Sequence, residues 1–125
     1  MRDELIRWQW QGYPEFHRNR LNLWIHLLAV PVFIASTGSL VLAVVMLQWS
    51  SAVAALVSLA LAFGLQGLGH QREETPATPF TGPGDAVTRI FVEQFVTFPR
   101  FVLSGGWLKA LRASGRPGVA SPGTR

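Results

Sequence analysis

From residue 21 to residue 71 the chain carries no Lys, Arg, Asp or Glu. A helix needs about 20 predominantly apolar residues to cross a bilayer, so this uncharged run has room for two crossings. One fits residues 27–47 (LLAVPVFIASTGSLVLAVVML) and the other residues 52–69 (AVAALVSLALAFGLQGLG). Between them, Gln48, Trp49, Ser50 and Ser51 form a polar, interfacial turn, with Trp49 suited to the headgroup level. A soluble bundle helix would show a polar stripe, which neither segment has. A cleaved signal peptide fits poorly, because the apolar run begins after residue 20 and lacks a small-residue cleavage site. The expected fold is therefore all-α: an integral membrane bundle built on a two-helix transmembrane hairpin, with flanking amphipathic or partly inserted helices.

The basic residues flank this hairpin and avoid its turn. Arg2, Arg7, Arg18 and Arg20 precede it; Arg72, Arg89, Arg100, Lys109, Arg112, Arg116 and Arg125 follow it. By the positive-inside rule both termini are expected on the cytoplasmic side. Anionic headgroups explain the net charge of +4 without nucleic acid, for which no motif is present. The absence of cysteine excludes disulfides, thiolate metal sites, iron–sulfur clusters and a cysteine nucleophile. Any metal must rest on His, Asp, Glu or backbone oxygen.

Residues 3–11 are expected to form a short surface helix capped by Asp3 and interrupted at Gly12, Tyr13 and Pro14. Three prolines and two glycines within residues 75–84 make an ordered loop or lid. From Asp85 a helix is expected with Val87, Ile90, Phe91, Phe95 and Phe98 on one side and an Arg89–Glu93 pair on the other, ending at Pro99. A further amphipathic piece runs through Leu111. Residues 1–112 thus read as one membrane-embedded domain and residues 113–125 as a disordered tail.

The chain has three histidines, and the hairpin brings them all towards one membrane face: His17 before the first crossing, His26 at its start, His70 at the end of the second. Ionisable groups at that depth are a functional hypothesis by default. Glu73 and Glu74 follow His70 at three and four residues, either of which puts a carboxylate on its side of a continuing helix. Imidazoles plus one carboxylate, with positions left open, is the ligand set of a non-haem Fe(II) oxygenase site. Asn22, one turn before His26, is placed to orient its imidazole. His17 and His26 are nine residues apart, about 900° of helical rotation, and would point opposite ways on one unbroken helix. The chain must bend between them, with Asn19 as N-cap of the second segment. His26 and His70 also allow an axially ligated haem in an electron-transfer hairpin, and a third reading is a membrane scaffold in which the histidines are incidental. A zinc hydrolase lacks its H-E-x-x-H motif. Gly64, Gly67 and Gly69 read as close helix-packing positions.

Tyr13…His17-Arg18-Asn19-Arg20-Leu21-Asn22…His26…Pro31, then Gln66-Gly67-Leu68-Gly69-His70…Glu73-Glu74-Thr75-Pro76-Ala77, and Glu93-Gln94-Phe95…Phe98-Pro99-Arg100-Phe101 together resemble the 2-hydroxy fatty acid dioxygenase family of small membrane proteins, in its shorter bacterial branch. The likeness covers about residues 13–105. It implies a four-helix membrane protein, in a bacterial inner membrane or, in a eukaryote, the endoplasmic reticulum. It also implies an Fe(II) cofactor and the use of O2 to shorten 2-hydroxy fatty acids by one carbon, a step of fatty acid alpha-oxidation. His17, His26 and His70 carry over as iron ligands, with Glu73 or Glu74 as the acid. Where many members have two adjacent histidines this chain has His17-Arg18. A 2-hydroxy carboxylate is itself a chelator, and Arg18, Arg20 or Arg72 are candidates to hold its carboxylate by paired hydrogen bonds.

Overall fold

The computed structural model describes residues 2–114. Six α-helices and one π-helical turn make up the described residues: α1 (Arg2–Phe16), α2 (Arg20–Val45), α3 (Trp49–His70), α4 (Pro83–Val92), the π turn Glu93–Thr97, α5 (Phe98–Leu103) and α6 (Gly106–Ser114). No strand occurs among them, as the sequence led one to expect. The tail expected beyond residue 112 lies outside the described residues from residue 115 on, and α6 already extends to Ser114.

α2 and α3 form the expected hairpin, and both are long and apolar enough to cross a membrane. Small buried side chains lie on both helices, Ala29 and Ala43 on α2 and Ala52, Ala55 and Ala62 on α3, and Ala29 and Ala62 share one core cluster. In an apolar surrounding, where no hydrophobic drive separates helix from solvent, such residues let backbones approach closely. Ser36 Oγ donates to Ser58 Oγ at 2.8 Å across the pair. Of the three glycines expected at this contact only Gly69 is tightly packed, its missing Cβ leaving room for the Asn22 side chain; Gly64 and Gly67 face open space. The outward faces stay apolar and exposed, with Leu28, Leu42, Val45, Leu61 and Leu68 all more than half accessible.

The hairpin turn is tighter than the sequence suggested, Met46–Gln48, so that Trp49, Ser50 and Ser51 already belong to α3. Gln48 N–H donates to Ala43 O at 2.8 Å and Leu47 N–H to Val44 O at 3.1 Å, the paired bonds of a Schellman ending. Leu47 takes the left-handed position (φ 56°) that glycine usually fills.

Two prolines expected to end helices do not. α1 continues through Gly12 and Pro14 to Phe16, because Tyr13 is locked into a core of Leu23, Val30, Phe98, Phe101 and Trp107. Packing of that size outweighs local propensity. Pro99 is the second residue of α5, directly after the π turn, so its missing N–H falls where the helix changes its bonding pattern. The preceding turn widens into a π turn, in which Phe98 N–H donates to Glu93 O. Widening relieves the pressure of the Pro99 ring on the carbonyl four residues earlier. The chain thus stays helical from Pro83 to Leu103 and folds back across α1 and the polar end of the hairpin.

Candidate metal centre

His17 lies in the three-residue break between α1 and α2, outside the helix that carries Asn22 and His26. Asn19 caps α2 as expected, its Oδ1 accepting from Asn22 N–H at 3.1 Å. The bend that the helical rotation demanded is therefore present, and it turns His17 back towards His26. His70 ends α3. The three imidazoles form a near-equilateral triangle, with ring centroids 4.8 Å apart for His17–His26 and 4.9 Å for His17–His70 and His26–His70.

The carboxylate at this triangle is Glu93, from the π turn, and one ligand atom from each of His17, His26, His70 and Glu93 lies within 4.8 Å of the others. Glu93 Oε1 is 3.5 Å from both His17 Nε2 and His26 Nε2. Neither candidate acid next to His70 reaches the group. Glu73 accepts the backbone N–H groups of Arg18 and Asn19, each at 2.9 Å to Oε1, and the Asn22 side-chain amide at 2.6 Å. It closes the start of α2, whose first N–H groups have no partner within the helix. Glu74 is exposed. The expected Arg89–Glu93 pair is also replaced: Arg89 pairs with Asp85 at 3.3 Å, and Glu93 is turned inward.

The rings are held from behind by backbone. His17 Nδ1 pairs with Tyr13 O at 2.9 Å and His26 Nδ1 with Asn22 O at 3.0 Å, which leaves each Nε2 directed at the cluster. It is thus the main chain of Asn22 that orients His26, while its side chain serves Glu73. His17 Nε2, His26 Nε2 and His70 Nδ1 are buried with no hydrogen-bond partner. A buried nitrogen without a partner is costly, and three of them around one carboxylate is the arrangement a cation would complete. Imidazole held by a backbone carbonyl on its far nitrogen is the usual support for a metal ligand.

Tyr13 completes the site. Its ring stacks on His17 with centroids 3.8 Å apart, and its hydroxyl donates to Glu93 Oε1 at 3.0 Å. Burial, reinforced by the charge of Glu93 and the bond to it, pushes the phenol well above its ordinary value, so it remains a donor. For Glu93, burial alone would raise the carboxyl. The neighbouring His17 and His26 imidazoles outweigh it and hold the group well below the usual carboxylate range. Beside Glu93, Gln94 and Gln66 exchange two amide bonds, 2.9 and 2.7 Å, and tie the π turn to α3.

A cavity of about 670 Å³ opens on one side of the cluster, lined there by His17, His70, Glu93, Gln66 and Gln94. His26 is fully buried behind it. The arginine on this cavity is Arg89. Its guanidinium is bonded to Thr78 O at 2.8 Å, Pro79 O at 3.1 Å and Asp85, and lies over the Phe80 and Trp8 rings. These bonds fasten the loop after α3 as a wall of the cavity, the ordered loop expected from its prolines. Arg18, Arg20 and Arg72 line a separate hollow of about 980 Å³ together with Glu73 and Glu74, away from the histidines. Sequence reasoning missed Glu93, Tyr13 and the amide pair as site residues. The available signal was that Tyr13, Gln66 and Glu93-Gln94 all stand among the residues that carry the resemblance.

No family model matches the chain, and no curated protein or solved structure matches it.

Proposed function

We propose that this chain is an Fe(II)-dependent dioxygenase of the membrane, converting 2-hydroxy fatty acids and O2 to the one-carbon-shorter fatty acid. The observation that carries this reading is the convergence of three buried, unpartnered imidazole nitrogens and one carboxylate on a point that faces an open cavity. The resemblance of the same histidines to those of the 2-hydroxy fatty acid dioxygenase family supplies the substrate class. The reaction balances: the C1–C2 bond breaks, carbon 1 leaves as CO2, carbon 2 becomes the new carboxyl carbon, and O2 takes up the four electrons released, ending in the new carboxylate and water.

His17, His26, His70 and Glu93 would hold the iron, which when bound supplies electrons to O2 and brings both reactants to one centre. Tyr13 keeps the Glu93 oxygen directed at the imidazoles. Gln66 and Gln94 each retain an amide N–H and a lone pair beyond their mutual bonds, available to the hydroxyl or carboxylate of a substrate in the cavity. The mostly apolar walls keep bulk water from the reacting atoms. The exposed apolar flanks of α2 and α3 suit lipid, and the positive-inside rule puts the histidine end and both termini on the cytoplasmic side. A haem is disfavoured because a third imidazole and Glu93 occupy the space beside His26 and His70 where a planar macrocycle would lie.

Anaerobic purification with elemental analysis, then incubation with a 2-hydroxy acid and O2, tests the proposal. One iron per chain and a one-carbon-shorter product are expected, both lost in His17→Ala, His26→Ala and His70→Ala. Full turnover in all three variants, or a Soret band from the purified protein, overturns it.

A further inference from the structure

Phe63, Gln66, Gly67 and His70 stand at i, i+3, i+4 and i+7 of α3 and so share one face, and all four line the cavity. The lining of that cavity is mixed but mostly apolar: beside the cluster and the two glutamine amides it has Phe16, Phe63, Ile90 and Pro79, while Glu15 and the fastened Arg89 also reach it. Trp8, Phe63 and Phe80 on the lining are 46%, 43% and 48% exposed, which puts aromatic rings where the cavity meets its surroundings. At Gly67 the lining carries no side chain, and a Cβ built there meets nothing within 4 Å. Gly67 lies three residues before His70, roughly 4.5 Å along the helix axis, so anything that reaches the imidazoles and extends along this wall passes it.

Glycine in a helix interior is unfavourable by about 1 kcal/mol relative to alanine, and here no neighbouring backbone or side chain requires it. Gly67, unlike the equally open Gly38 and Gly64, lies on the cavity lining, where any side chain would take up room open to a ligand. A volume of about 670 Å³ falls within the usual size of small-molecule sites. A mostly apolar cavity with the polar cluster on its lining selects a mostly apolar molecule that carries a polar end.

We infer that this cavity holds the single alkyl chain of the substrate, running from the cluster past Gly67 to the aromatic mouth, and that Gly67 is the position that admits long chains. The inference rests on the proposed function only for the head group; the chain site stands on the cavity itself.

The test uses the full-length protein in lipid nanodiscs, with iron content read separately from ligand binding. Gly67→Leu places four carbons in open space and improves helix propensity, so iron content should equal that of the parent chain. Its affinity for 2-hydroxyhexadecanoic acid should fall at least ~10-fold, the scale of misfit of a few methylenes in a pocket, while 2-hydroxybutanoic acid, too short to pass residue 67, binds unchanged. Phe63→Ala, which removes a ring from the same wall at an exposed position, should likewise weaken only the long acid. Unaltered long-chain binding in both variants, or equal loss for both acids, overturns the inference. Hexadecanoic acid, which lacks the 2-hydroxyl, separates the two readings. Should the protein bind no iron, selective loss of this acid in Gly67→Leu still upholds the chain site while the dioxygenase reading falls.

Discussion

Two glutamates separated by twenty positions divide the work that one acid was expected to do. Glu73 is bound by two backbone N–H groups and the Asn22 amide, and Glu93 by Tyr13 and the imidazoles. Their substitutions should therefore separate stability from metal binding. Glu73→Gln loses a charged acceptor at the start of α2 and is expected to lower stability by about 1–2 kcal/mol while keeping metal stoichiometry, checked by thermal unfolding alongside elemental analysis. In a chelator competition, Tyr13→Phe keeps the stack on His17 but frees Glu93, and should weaken metal binding by ~10- to 100-fold, the usual effect of removing a ligand's supporting hydrogen bond. Glu93→Gln should weaken it further. If Tyr13→Phe proves neutral, or Glu73→Gln alone abolishes binding, the assignment of these three residues is wrong.

Helix ends carry the next level of information, and one of them runs against local preference. Leu47 occupies a left-handed position at the hairpin turn, a conformation that strains residues with a Cβ by about 1 kcal/mol. Leu47→Gly should raise the unfolding free energy by about that amount, and a lowered midpoint would count against the Schellman geometry. The loop after α3 is tied down by Asp85, which accepts Thr81 N–H at 3.0 Å and pairs with Arg89. The Thr81 bond first, and then Arg89, hold the Asp85 carboxyl below its usual range. A carboxyl lowered on folding contributes stability above its unfolded value, near 3.9, and loses it as the pH falls through the depressed folded value. Amide exchange at Thr81 is thus expected to lose protection as the pH drops below about 4, and Asp85→Asn to show the loss already at neutral pH; equal protection in the variant would exclude this tether. Pro14 and Pro99 were legible as helix breakers, yet both lie inside helical chain, because Tyr13 on one side and Phe98 and Phe101 on the other bury into a common core. Propensity is a local term of at most a few kcal/mol, and several buried aromatic rings exceed it.

For the molecule as a whole, the proposed membrane orientation predicts which end of the hairpin faces outward. The cysteine-free chain allows single reporters without background. With the histidine end inside, Gln48→Cys in the hairpin turn should react with an impermeant maleimide added outside intact cells, and Glu74→Cys should react only after lysis. The reverse pattern would invert the orientation.

Composition and spacing were enough for the hairpin, the bend before Asn19 and the gathering of three histidines at one end, since these depend on hydrophobic length, helical rotation and antiparallel return, all of which operate over neighbouring residues. The fourth ligand, its tyrosine partner and the cavity were beyond that reach. Glu93 looked like half of a surface ion pair with Arg89, and only the return of α4, the π turn and α5 across α1 and the hairpin turns it towards His17 and His26. That return is a matter of long-range packing between segments some eighty residues apart, joined by Gln9 to Arg89 and Tyr13 to Glu93. No periodicity encodes contacts at such a separation, because each segment alone satisfies its own helical pattern equally well with Glu93 facing water.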